Sequence, residues 1–82
     1  MSDLILFYTG PLNPYQMKNK IKIERAIKGF TQEDLAIKVS VSRQTINAME
    51  ASKYVPSTVL ALKIAKVFGK PVEDIFELEP DD

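Results

Sequence analysis

Three side chains able to read hydrogen-bond patterns sit close together in the middle of the chain. They are Arg43, Gln44 and Asn47, and a helix turning about 100° per residue gathers them on one side with Ala48. Arginine can place two donors on guanine O6 and N7, and a glutamine or asparagine carboxamide can pair one donor and one acceptor with adenine. Ile46 and Met49 fall on the opposite side with Thr45 at its edge, and no acid interrupts the polar row. Any exposed helix face carries polar residues, so Arg43 or Gln44 alone would mean little. The row as a whole favours the edges of base pairs.

Other chemistries lack their residues. The chain has no Cys and no His, which removes the thiolate nucleophile, the disulfide framework, the usual zinc ligands and the commonest general base. The three glycines are isolated, so no loop cradles a phosphate. Glu33-Asp34 and Glu73-Asp74 stand at expected helix starts, where the helix dipole favours acids. No metal site, no cofactor and no enzymatic activity are expected. The absence of Cys makes a reducing, cytoplasmic setting the expected location.

The elements that must position the row are short and helical. With 82 residues, 45% hydrophobic and 27% charged, the chain has material for one folded domain. The spacing predicts a first helix from about Lys18 to Lys28 with Ile23, Ala26 and Ile27 facing the core, ended by Gly29. Thr31-x-x-Asp34 opens a second, with Leu35, Ala36 and Val39 inside. Ser42 caps a third that reaches about Glu50, only Ser40-Val41 separating the two, which suits a sharp helix-turn-helix corner. Ser57 caps a fourth, Thr58 to Phe68, carrying Leu60, Leu62, Ile64, Ala65 and Phe68, with Gly69 and Pro71 after it. A short fifth covers Val72 to about Phe76. The expected fold is all-α with five helices.

Equal numbers of basic and acidic residues, 11 of each, conceal an asymmetry. All 11 bases lie between Lys18 and Lys70 among only four acids, a formal charge of +7, while Pro71–Asp82 carries six acids and no base. A basic body implies a polyanionic partner. Lys18, Lys20, Lys22 and Lys28 suit phosphate contacts and a solvated face equally well; Lys63, Lys66 and Lys70 read as a solvated face.

Residues 18–76 resemble the lambda-repressor-like, Cro/cI-type helix-turn-helix family, also called the xenobiotic-response-element family. The resemblance rests on Gly29-x-Thr31-Gln32-Glu33-Asp34-Leu35-Ala36, Val41-Ser42-Arg43-Gln44-Thr45-Ile46, Glu50, Pro56-Ser57 and Leu62-x-Ile64-Ala65-x-x-Phe68-Gly69. It implies a third helix in the major groove of double-stranded DNA with the second crossing above it. Carried over by position, it implies Gln32 on a phosphate, Ser42, Arg43, Gln44 and Asn47 at bases or the groove edge, and Thr45 at a phosphate or base edge. Lys53 and Tyr54 fall in a backbone-touching loop, and Arg25 and Glu50 match an ion pair joining the first and third helices. The chain departs from the pattern at Ser40, where the family usually has Gly, and at Ala51-Ser52, which replaces a common Asn-Gly or Arg-Gly. Ala48 stands where some members carry a longer base-reading side chain.

The chain thus divides into an extension (1–16), a helix-turn-helix domain (17–76) and an acidic tail (77–82). The extension holds the apolar run Leu4–Tyr8, too short to span a membrane. It reads as a leader or as a strand pairing with Ile75–Glu79, in cis or across a dimer. The expected function is a prokaryotic, sequence-specific transcriptional regulator that binds DNA as a homodimer. The alternative is an antitoxin or other protein-interaction module on the same fold, with a protein partner and DNA binding secondary.

Overall fold

A computed structural model describes residues 17–79; Leu4–Tyr8 and the last three residues of the acidic tail lie outside them. In chain order come β1 (Met17–Asn19), α1 (Ile21–Lys28), α2 (Gln32–Val39), α3 (Arg43–Glu50), α4 (Thr58–Phe68), a 3-10 turn (Val72–Asp74) and β2 (Phe76–Leu78). The expectation of five helices is corrected on two counts. Val72–Asp74 makes a single 3-10 turn, because the chain turns extended at Phe76 to pair with β1 and leaves no length for a further helical turn. Residues 17–19, of which Lys18 and Asn19 were expected in the first helix, form the other strand, antiparallel with Met17 opposite Leu78 and Asn19 opposite Phe76. Within the stretch expected to pair with the N-terminal run, β2 pairs with β1 among the described residues, and Leu4–Tyr8 itself lies outside them.

Local chemistry fixes each helix boundary. Thr31 caps α2 through a capping box: its hydroxyl accepts from the Asp34 N–H at 2.9 Å while Asp34 accepts from the Thr31 N–H at 2.9 Å. Ser42 and Ser57 cap α3 and α4, accepting from Thr45 and Leu60 main-chain N–H groups at 3.1 Å. Gly29 and Gly69 end α1 and α4 at φ 73° and 68°; Ser40 ends α2 in the same left-handed region at φ 63°. No Cβ-free residue is available at Ser40, so this sharp corner carries a strain that glycine would avoid. Asn19 then locks the sheet to the helices. Its Oδ1 accepts from the Ile21 N–H at 3.2 Å and its Nδ2 donates to the Met49 carbonyl, at the end of α3, at 2.7 Å.

The core joins Ile21, Leu35, Ala36, Val39, Ile46, Met49, Leu60, Ile64, Ala65, Phe68, Ile75 and Phe76. Leu35, Ala36, Val39, Ile46 and Met49 lie inside as their spacing requires. In α1 the phase differs from expectation. Ile21 and Glu24 face inward, while Ile23 and Ile27 are 58% and 66% exposed and Ala26 is exposed too. The inward face of α1 is taken by Ile21 and by Glu24, which is buried and meets Lys70 Nζ at 2.7 Å, so that Ile23 and Ile27 lie at the surface. Lys70 is thus a pairing residue and not a merely solvated one. Leu62 on α4 is exposed as well.

Candidate nucleic-acid interface

Helix α3 is short, and its two ends are held differently. Its first turn is closed by Ser42, whose hydroxyl lies 3.0 Å from Thr45 Oγ1 in addition to accepting the Thr45 N–H. The inner face is pinned by Ile46 and Met49, both fully buried. That anchoring leaves Arg43, Gln44 and Asn47 exposed together, with Ala48 and Thr45 half-buried at the margins. The Arg43 and Gln44 side chains make no hydrogen bond or ion pair with any described residue. Arg43 also occupies the first turn of a helix, where the dipole disfavours a cation and no acid compensates it. A side chain that breaks a local rule without compensation inside the molecule is well suited to an anion outside it.

Asn47 belongs to a chain of contacts that ties three helices together. Arg25 on α1 donates through Nε to Glu50 Oε2 at 2.6 Å and through a terminal nitrogen to Glu50 Oε1 at 3.1 Å. Its other terminal nitrogen donates to the Phe30 carbonyl at 2.9 Å. Gln32, the first residue of α2, donates from Nε2 to Glu50 Oε1 at 3.0 Å and to Asn47 Oδ1 at 3.3 Å. Burial pushes the Glu50 carboxyl up, but hydrogen bonds from Arg25 and Gln32, with the Arg25 and Lys22 charges, more than offset it. The group ends below the usual carboxylate range. The Glu50 hydrogen bond raises the Arg25 guanidinium, against the opposing effect of burial. Asp34 is lowered by hydrogen bonds from the Thr31 main chain and hydroxyl.

The remaining expected residues sit around this face. Gln32 is half-buried, and its main-chain N–H donates to no described group. Lys53 and Tyr54 are exposed in the loop after α3. Ser52 takes φ 60° there, filling the left-handed position that Ala51-Ser52 leaves without a glycine, and its hydroxyl donates to the Met17 carbonyl at 3.2 Å. The reading of residues one at a time missed the coupling of Gln32 to Asn47 and Glu50. Its signal was available: Asn47 and Glu50 are three apart on one helix, and a carboxamide opens the helix before it. It also missed the Asn19 tether, for which a three-residue strand leaves no periodic trace. Among the described residues no group of His, Cys, Asp or Glu is arranged to hold a metal ion, and no helix is long and apolar enough to cross a membrane.

The helical framework from α1 to the 3-10 turn, two helices at a short corner included, matches a family model for helix-turn-helix domains over residues 21–75. The chain belongs to the helix-turn-helix family. Its similarity to other members of that family is extensive. An uncharacterized HTH-type transcriptional regulator of Methanocaldococcus jannaschii is 61% identical over 66 residues, spanning 80% of this chain and 100% of the relative. The uncharacterized HTH-type transcriptional regulator YgzD of Bacillus subtilis is 52% identical over 66 residues, with the same coverage of both chains. A crystal structure of a candidate DNA-binding protein from Bacteroides fragilis superposes with a TM-score of 0.68 at 28% identity, over 74% of this chain and 98% of that one. The helix-turn-helix assignment makes α2 and α3 the two helices of the motif.

Proposed function

We propose that the chain is a DNA-binding transcriptional regulator of a prokaryotic cell that reads the major groove with α3 and acts as a homodimer in the cytoplasm. The observation that carries this reading is the exposed, acid-free row of Arg43, Gln44 and Asn47 on a helix whose other face is locked in the core. Family membership and the names of the relatives support it. Arg43 and Gln44 address base edges, Asn47 a third position, and Ser42 and Thr45 the groove edge. Ala48 offers a methyl contact to thymine or none. Lys53 and Tyr54 meet the sugar-phosphate backbone, and Gln32 reaches phosphate through its main-chain N–H. Arg25 and Glu50 hold α1 and α3 at a fixed angle. A single helix reads only a few base pairs, so two copies on half-sites about 34 Å apart supply the specificity a regulator needs.

Selection of bound sites from a random duplex library tests this directly. The expected product is a palindrome with half-sites about one helical turn apart; enrichment of no sequence, or of a single unpaired half-site, would sink it. A second reading, a protein-interaction module such as an antitoxin, is favoured by the exposed apolar pair Ile23 and Ile27 on α1. It predicts a stable protein complex in affinity purification that survives Arg43→Ala and is lost in Ile27→Glu.

A further inference from the structure

We infer that Gln32 is a positioning residue for base readout: it turns the Asn47 carboxamide so that only its NH₂ faces the DNA, making Asn47 a donor-only reader. This inference rests on the proposed reading of α3. Chemistry along the chain of contacts fixes the orientation. Arg25 forks onto Glu50 with bonds of 2.6 and 3.1 Å, and an ionised carboxylate offers acceptors alone. Gln32 at 3.0 Å from Glu50 Oε1 must therefore present its NH₂ there and not its carbonyl. The same nitrogen lies 3.3 Å from Asn47, and its second hydrogen requires an acceptor on that side. Asn47 meets it with Oδ1, which leaves both Nδ2 hydrogens on the exposed side of the helix.

The consequence is a change in what Asn47 can recognise. An unrestrained asparagine pairs with adenine through one donor and one acceptor, accepting from N6 and donating to N7. With Oδ1 turned towards Gln32, the group that Asn47 presents outward is its NH₂, and it addresses acceptor-rich edges: guanine O6 and N7, or thymine O4. The polarity of that contact is set on α1, three contacts away, by Arg25.

Site selection from a random duplex library with the full chain and three variants, Asn47→Ala, Gln32→Leu and Gln32→Glu, tests the relay. Asn47→Ala should erase base preference at one step of each half-site, and the wild type should favour guanine or thymine there. Gln32→Leu frees the carboxamide and should move that step towards adenine by about tenfold. Gln32→Glu places a carboxylate against that of Glu50, is repelled from it, and should likewise release the Asn47 carboxamide and move that step towards adenine. Wild-type preference for adenine at that step, unchanged profiles in both Gln32 variants, or an Asn47→Ala profile identical to wild type would each overturn the inference. Nitrogen-15 spectra of the free protein read the relay without DNA, where the Gln32 side-chain amide signals should shift in Asn47→Ala; unmoved signals would overturn it too. A library that enriches nothing for the wild type defeats the functional reading, and the spectra then still decide whether the relay exists.

Discussion

Arg43 and Lys53 carry like charges in unlike settings, and they should behave differently. Arg43 projects from the first turn of α3 within a row of base-reading groups, whereas Lys53 sits in the following loop. Arg43→Ala should flatten preference among operator sequences by about 1–3 kcal/mol, with little effect on stability. Lys53→Ala should weaken all duplexes alike. Competition binding against specific and random duplexes separates the two, and matching behaviour would remove the distinction. Glu50 is a different kind of residue, since its side chain is 8% exposed beneath Arg25. Glu50→Ala leaves the guanidinium without its partner and should cost about 3 kcal/mol in urea unfolding. Because the folded-state pKa of Glu50 lies below its unfolded value, its contribution is present above the unfolded pKa and fades as pH falls through the folded one. Wild-type stability should therefore drop as pH falls through and below about 4.3, the ordinary glutamate value, and Glu50→Gln should show a shallower drop. Equal slopes would mean that the pair contributes nothing that depends on the Glu50 charge.

The corner between α2 and α3 depends on a residue poorly suited to its conformation. Ser40 holds φ 63° with a Cβ that the left-handed region disfavours, at a position where glycine would sit without strain. Ser40→Gly should stabilise the fold by up to about 1 kcal/mol, which for a domain of this size raises Tm by a few degrees. A lower Tm in calorimetry would show that the serine makes a compensating contact. The helix caps, the corner and the inner faces of α2 and α3 were legible in the sequence because each rests on local chemistry: Thr31, Ser42 and Ser57 before helices, Gly29 and Gly69 after them. The phase of α1 was not legible. Counting apolar residues places Ile23, Ala26 and Ile27 inside, but the inward partner of Glu24 is Lys70, 46 residues away, and no local pattern announces it. The sheet failed for a related reason, since β1 is three residues of lysine-bearing sequence stabilised by long-range pairing with β2. The exposed row of the candidate site was readable from α3 alone; the relay through Gln32 needed the angle between two helices.

Charge is segregated along the chain, and binding should report it. The stretch from Lys18 to Lys70 carries a formal +7, while the acids after it begin in the 3-10 turn and continue through Glu77 and Glu79. Lysine and arginine bound to phosphate displace condensed counterions, so the logarithm of affinity should fall linearly with the logarithm of salt, with a slope set by the number of phosphates neutralised. The acidic end acts against this on any duplex, either by repelling phosphate or by covering basic surface. Its removal must spare β2, because Phe76 is buried and residues 76–78 pair with β1. A truncation after Phe76 would dismantle the sheet that Asn19 ties to α3 and would confuse folding with binding. Glu77 is exposed on the strand, so Glu77→Gln combined with removal of residues 80–82 cuts three acids without breaking a strand pairing. At low salt this variant should bind random duplex several-fold more tightly than the wild type, and the difference should close as salt shortens the screening length to a few ångströms near 1 M. Equal affinity at low salt would assign the tail to solubility alone, and a gap that persists at high salt would point to a contact other than charge.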